Sequence, residues 1–301
     1  MPVSRLAARA ALLFATLVWG ATFVVVERAI EDIAVLHLLA LRFALGAVLL
    51  LPLLARRGGL AGLAAASRDG VLIGVVLFAG FAFQTYGLLW TTPSRSAFLT
   101  GVSVLLVPAF GWLTATSPVR PAALAGTLAA AAGLWTLFRP FAGDAAPAFN
   151  RGDALTLGCA AAFAAHVLMV ERAVRRHRVT PLAVMQFLVV AALAAPSLLL
   201  DPPAAGSFTP VAVAAVVVTG LFATAVAFAC QLYAQRRLPA VEVAVVLTLE
   251  PVAAAVLSIL VGREEPTLGL LVGGGLIVAG MLLADLGAPV VESAAAPTPR
   301  S

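Results

Sequence analysis

The chain has 301 residues, 62% of them hydrophobic and 11% charged, with mean hydropathy +1.07 and formal net charge +5. A soluble domain is about 45–50% apolar and about 25% charged, so the composition excludes a water-facing shell and points to a bilayer as solvent. All 19 basic residues are arginine, so no lysine is present for a Walker A nucleotide loop or for a Schiff base.

Ten apolar runs follow one another, most of them near the roughly 20 residues needed to cross about 30 Å of hydrocarbon. The first, Ala8–Val26, follows the basic start MPVSRLAAR and is longer than a signal-peptide core, so it is expected to remain as an uncleaved span. Ile33–Ala55 carries Arg42, Val71–Trp90 carries Gln84 and Tyr86, Ser96–Ala115 carries Pro108, and Pro121–Phe138 carries Gly126 and Gly133. Then come Asp153–Val170 with His166, Leu182–Leu200, Pro210–Tyr233 with Gln231, Val241–Val261 with Glu250 and Pro251, and Leu268–Leu286 with Gly273 and Gly280. Only helices satisfy every backbone group over so many lipid-embedded segments of this length. Residues 287–301 are rich in alanine and proline and are expected to form a disordered cytoplasmic tail. With the N-terminus placed inside, 13 arginines fall on that side, 5 on the other, and Arg42 within a span. That bias predicts both termini in the cytoplasm of an inner (plasma) membrane protein. It also makes the basic pI of about 10.5 a matter of orientation rather than nucleic-acid binding.

The word Val-Glu-Arg-Ala closes the first span as VVVERAI (24–30) and the sixth as LMVERAV (168–174), 144 residues apart. Phe43 and Pro52 meet Phe187 and Pro196 at the same offset, and Pro108 meets Pro251 at 143. Gln84, Tyr86, Gly126 and Gly133 meet Gln231, Tyr233, Gly273 and Gly280 at 147. The order never changes. Two repeats of five spans each are therefore expected, in residues 1–140 and 151–286. Five is odd, so the second repeat enters the membrane from the opposite side, which is the inverted-repeat pattern of secondary transporters. The expected fold is an all-α integral membrane protein of ten transmembrane helices, built as two inverted five-helix repeats.

The runs WGATFVVVERA, LLALRFALGAVLLLP, TTPSRSAFLTGVSVLLVP and LTLEPVAAAVLSILVGREEPTLGLLVGGGLIVAGMLL occur in that order between Leu12 and Leu286. Together they resemble the EamA-type family of the drug/metabolite transporter superfamily. The resemblance implies a ten-span carrier with a central pocket built by spans one to four and six to nine. It further implies export of small metabolites such as amino acids, by alternating access. Related members of the superfamily suggest the alternative, a translocator of lipid-linked or hydrophobic drug-like substrates. One departure is Glu27–Arg28, where such proteins often carry lysine near the end of span one.

Several polar residues inside spans are candidates for the substrate cavity. Arg42 lies roughly nine residues into its span, about 13 Å deep at 1.5 Å per residue. A charge there must face the bundle or a wet cavity. It is a candidate dock for a carboxylate or phosphate; the alternatives are a structural arginine tied to backbone carbonyls, or one that snorkels outward. Gln84, Tyr86, Gln231 and Tyr233 either line the cavity or join helix to helix. Glu250 is a candidate proton carrier, or else a carboxyl at the interface or bonded to a neighbouring helix. His166 is a pocket donor or a packing histidine, and Trp19 is a cavity-facing or a packing ring. Pro108 and Pro251 each remove a helix hydrogen bond and are expected to kink their spans. The glycine pairs predict close helix packing, with a dimer seam as the alternative.

No GxSxG, HExxH or paired-Asp motif occurs within the spans, so an enzyme is not expected. Cys159 and Cys230 give neither a disulfide framework nor a metal spacing, and no cofactor is expected. The charges deep in the spans form no ring of the kind that lines an ion channel. Expected partners are the lipid bilayer, a small-molecule substrate and protons as coupling ion, but no nucleic acid. The chain reads as a monomer or homodimer.

Overall fold

The computed structural model describes residues 2–56, 59–114, 121–138, 149–201, 208–260 and 268–286. The tail expected at 287–301, and the span ends at Ala115 and Val261, lie outside the described residues. The elements described are all helical. They begin with α1 (Pro2–Ala29), α2 (Val35–Arg56), a short α3 (Gly59–Ala65), α4 (Ser67–Gly87), α5 (Pro93–Gly101), α6 (Ser103–Leu113) and α7 (Pro121–Phe138). They continue with α8 (Arg151–Arg176), α9 (Val179–Ala194), α10 (Pro196–Leu200), α11 (Pro210–Val218), a π-helical stretch Thr219–Val226 and α12 (Ala227–Gln235). Last come α13 (Ala240–Leu247), α14 (Leu249–Leu260) and α15 (Leu268–Leu286). Eight helical segments among the described residues are long and apolar enough to cross a membrane, and Pro121–Thr136 and Leu271–Leu283 are shorter apolar helices. Large side chains such as Trp112, Leu199, Leu200 and Leu271 are exposed, which suits a hydrocarbon solvent and would be a liability in water.

Local chemistry sets the helix starts. The Thr92 and Thr209 hydroxyls accept from the backbone N–H groups of Arg95 and Ala212, each ahead of a proline in the first turn. Asn150 and Asp153 form a reciprocal capping box at the start of α8. Three spans are interrupted, the seventh at Ala195, between α9 and α10 and just before Pro196. The ninth breaks at Thr248, between α13 and α14, where Pro251 has no N–H for the Leu247 carbonyl four residues back. The fourth breaks at Val102, not at Pro108. The Val102 N–H bonds three residues back to Leu99, and Pro108 sits inside the continuing α6.

Three apolar clusters make up the core. Ala8, Leu12, Leu238 and Val243 pack at the end that carries the N-terminus. Phe43, Leu77, Phe187 and Phe228 pack between α2, α4, α9 and α12. Val26, Ile33, Leu88, Ala97 and Ala212 pack at the far end.

The glycines of α7 and α15 pack within the chain. A methyl group on Gly133 would lie 2.6 Å from the Gly273 carbonyl oxygen, and one on Gly280 would lie 2.6 Å from that of Gly126. The two helices run antiparallel with their backbones in contact, leaving no room for a Cβ. Gly133→Leu and Gly280→Leu are each expected to destabilise the protein by about 1–3 kcal/mol. Gly275→Leu, which faces open space, is expected to be neutral. Thermal unfolding in detergent checks all three.

Candidate substrate cavity

Between the two halves lies a cavity of about 890 Å³, its open mouth included. Helices α1, α2, α4, α5 and α6 line it from one half, and α8, α12, α13 and α14 from the other; α7 and α15 contribute nothing. Of the residues expected there, Trp19, Arg42, Gln84, His166, Gln231 and Glu250 line it, and Pro251, expected as a kink, also borders it. Tyr86 and Tyr233 do not line it. Each tyrosine follows a cavity-lining glutamine by two residues, and two residues turn a helix by about 200°. When the glutamine faces in, the tyrosine therefore faces away. Tyr86 packs beside the central apolar cluster. Tyr233 lies beneath the Arg237 guanidinium, 4.0 Å from its ring centre, and borders a separate groove. Arg28, at the departure from the family pattern, pairs with Glu31 on the exposed surface.

Arg42 is 2% exposed. Its guanidinium carbon lies 5.3 Å from the ring centre of Phe43 and 4.8 Å from that of Phe81, a cation–π setting that partly replaces water. Its Nε donates to Thr224 Oγ1 at 3.2 Å. Among the described residues no carboxylate is paired with it. Glu250, half-buried at the cavity, likewise has no ion-pair partner among them. Among the described residues the buried Gln231 Oε1 atom has no hydrogen-bond partner, an arrangement that costs about 1–3 kcal/mol unless a ligand or water supplies a donor. His166 Nε2 is 2.9 Å from Gln186 Oε1, and Gln84 Nε2 donates to Thr100 Oγ1 at 3.3 Å.

Aromatic rings hold these groups in place. Trp19 packs edge-on against Phe228 at 5.0 Å, and Phe163 against Phe81 at 5.2 Å. Phe43 meets Phe81 at 5.1 Å, and Phe187 meets Phe228 at 5.6 Å. Trp19 and Phe163, like Phe43 and Phe187, are 144 residues apart; Phe81 and Phe228 are 147 apart. These four contacts thus form two pairs related by the repeat offsets, Trp19–Phe228 with Phe163–Phe81 across the halves and Phe43–Phe81 with Phe187–Phe228 within them. The π-helical stretch completes the frame. Its Ala223 carbonyl accepts the Trp19 indole N–H at 2.7 Å, and its Thr224 hydroxyl receives Arg42. Thr100, Thr224 and the π-helical stretch gave no warning in the sequence, because a threonine in an apolar run carries no pattern and a π-turn has no local signature.

A family model described as the EamA-like transporter family matches residues 7–139 and again residues 150–284. An uncharacterized transporter of Archaeoglobus fulgidus is 31% identical over 284 residues, which cover 94% of this chain and 87% of that protein. A solved crystal structure has a similar fold at TM-score 0.76, with 23% identity over 93% of this chain and 96% of the other. By two matched segments that together span nearly its whole length, the chain belongs to the EamA-like transporter family and is a multi-pass membrane transporter.

Proposed function

We propose that the chain is a secondary-active exporter of a small carboxylate-bearing metabolite, such as an amino acid, working by alternating access. The observation that carries this reading is Arg42, buried on the cavity wall with no anionic partner among the described residues. A guanidinium so placed fits a carboxylate through charge-assisted hydrogen bonds. Glu250, from α14 on the other half, fits the substrate ammonium or a coupling proton. The aromatic rings and glutamines between them suit a small organic body.

The two-fold family match, the paired aromatic contacts and the antiparallel glycine seam support ten spans in two inverted repeats of five. Such halves exchange conformations and open the cavity to one side and then the other. The arginine bias supports an inner-membrane location with both termini in the cytoplasm. A second reading, translocation of a lipid-linked or hydrophobic substrate, draws on a lateral apolar groove bordered by Ala11, Leu49, Leu221, Ala229 and Tyr233.

Counterflow in proteoliposomes across a panel of amino acids, organic acids, organic cations and polyprenyl phosphates tests both. A carboxylate substrate is expected, with Arg42→Ala weakening its binding about a hundredfold, as truncating one partner of a buried charge pair costs 2–5 kcal/mol or more. Counterflow confined to polyprenyl phosphates would sink the first reading in favour of the second. Glu250→Gln is expected to preserve counterflow but to abolish the acceleration of export by an inward proton gradient. Unchanged acceleration in that variant would remove Glu250 as the proton carrier.

A further inference from the structure

Two buried ion pairs lie at opposite ends of the cavity, outside the set of residues that would touch a substrate. At the end that carries the N-terminus, Glu242 of α13 is 3% exposed and accepts from Arg9 Nε at 2.9 Å, with Arg5 Nη2 at 3.6 Å. At the far end, Asp153 of α8 is 0% exposed and accepts from Arg95 of α5, through Nε at 2.7 Å and Nη2 at 2.6 Å. The clusters around Ala8 and Val241, and around Val26 and Ala97, identify the two ends. The cavity lies between them. Ala244, two residues after Glu242, and Ala97, two after Arg95, both line it.

The pairs occupy matching places in the two halves. Arg9 and Asp153 are 144 residues apart, the offset of the repeated Val-Glu-Arg-Ala. Arg95 and Glu242 are each the third residue of their helix, α5 and α13. The second pair is therefore the first one repeated, with the signs of its two charges exchanged.

We propose that Arg9–Glu242 and Arg95–Asp153 are the two latches of the transport cycle, each bridging the helices at one end of the cavity, both closed in this structure and parting in alternation as that end widens. The proposal rests on the alternating-access reading above. Each carboxylate is almost dry, while the side chains of Arg9 and Arg95 are 26% and 27% exposed. Parting a pair while its end stays shut would leave a buried carboxylate without its cation, which is strongly unfavourable even though Asp153 keeps the Asn150 N–H and the Thr91 hydroxyl as donors. Parting it as the end opens lets water replace the guanidinium. Latch and opening are thereby coupled into a two-state element. Similar devices at both ends keep the two closed forms close in energy, so that a substrate shifts the balance between them.

The test places single cysteines at Ala97 or Ala244 in a C159A/C230A background, and follows their labelling by a membrane-impermeant maleimide in proteoliposomes of either orientation. R95Q is expected to raise labelling of the Ala97→Cys site about tenfold and to lower labelling at Ala244→Cys, as removal of a latch shifts a two-state balance. E242Q is expected to do the reverse. R95K keeps the charge but not the two-pronged contact with Asp153, and is expected to label between its parent and R95Q. Equal changes at both sites, or none in either neutralised variant while substrate counterflow persists, overturn the latches and leave the transport reading intact. Labelling of both sites from the same face of the membrane in every variant overturns alternating access, and the latches with it.

Discussion

A guanidinium held 2% exposed between two phenylalanine rings governs how the middle of this bundle is built. A charge in the hydrocarbon zone is costly on every scale of insertion energy. The chain meets that cost with aromatic faces, one hydroxyl and a cavity. The hydroxyl belongs to the π-helical stretch that follows α11, where Thr224 meets Arg42 and the Ala223 carbonyl accepts from Trp19. π-turns recur at functional sites because they re-aim backbone and side chains that a regular helix would tie down. Trp19 in turn packs on Phe228, which contacts the aromatic cluster from the second half. One buried charge thus connects local helix geometry, ring packing and the shape of the cavity.

The ring contacts and the glutamines Gln84 and Gln231 repeat from one half to the other, but the charged groups do not. Gln186 occupies the place in the second half that Arg42 occupies in the first, 144 residues on, and it is engaged by His166 rather than left for a ligand. A symmetric cavity would offer two equal cations or none. Among the described residues that line it, this one offers a single cation, Arg42, and a single carboxylate, Glu250, neither of them in an ion pair.

Much of this was legible in the sequence, because a bilayer imposes a coarse and repetitive pattern. The apolar runs marked the long helices, and the repeated Val-Glu-Arg-Ala marked the two segments that the family model matches. Intramembrane polarity pointed to Arg42, Gln84, His166, Gln231 and Glu250, since a polar group there must face something other than lipid. The tyrosines were misjudged because matched sequence positions say nothing of helix phase. The break at Val102 escaped because proline seemed sufficient to locate it. The ion pairs escaped because Arg9 and Glu242 are 233 residues apart in the chain, and each side chain alone reads as an interfacial charge. Glu171, from the second copy of the repeated word, turned out to accept the Ala240 N–H at the start of α13, where a carboxylate complements the helix dipole.

The end pairs carry one more property. Both cations, Arg9 and Arg95, come from the first matched segment, and both anions, Asp153 and Glu242, from the second. Two copies of the first segment would oppose arginine to arginine at both ends, and two copies of the second would oppose carboxylate to carboxylate in near-dry surroundings. Neither segment is therefore a suitable partner for itself. Whatever symmetry the two once shared, each has become the required complement of the other, and their covalent union in one chain guarantees the stoichiometry that this complementarity demands.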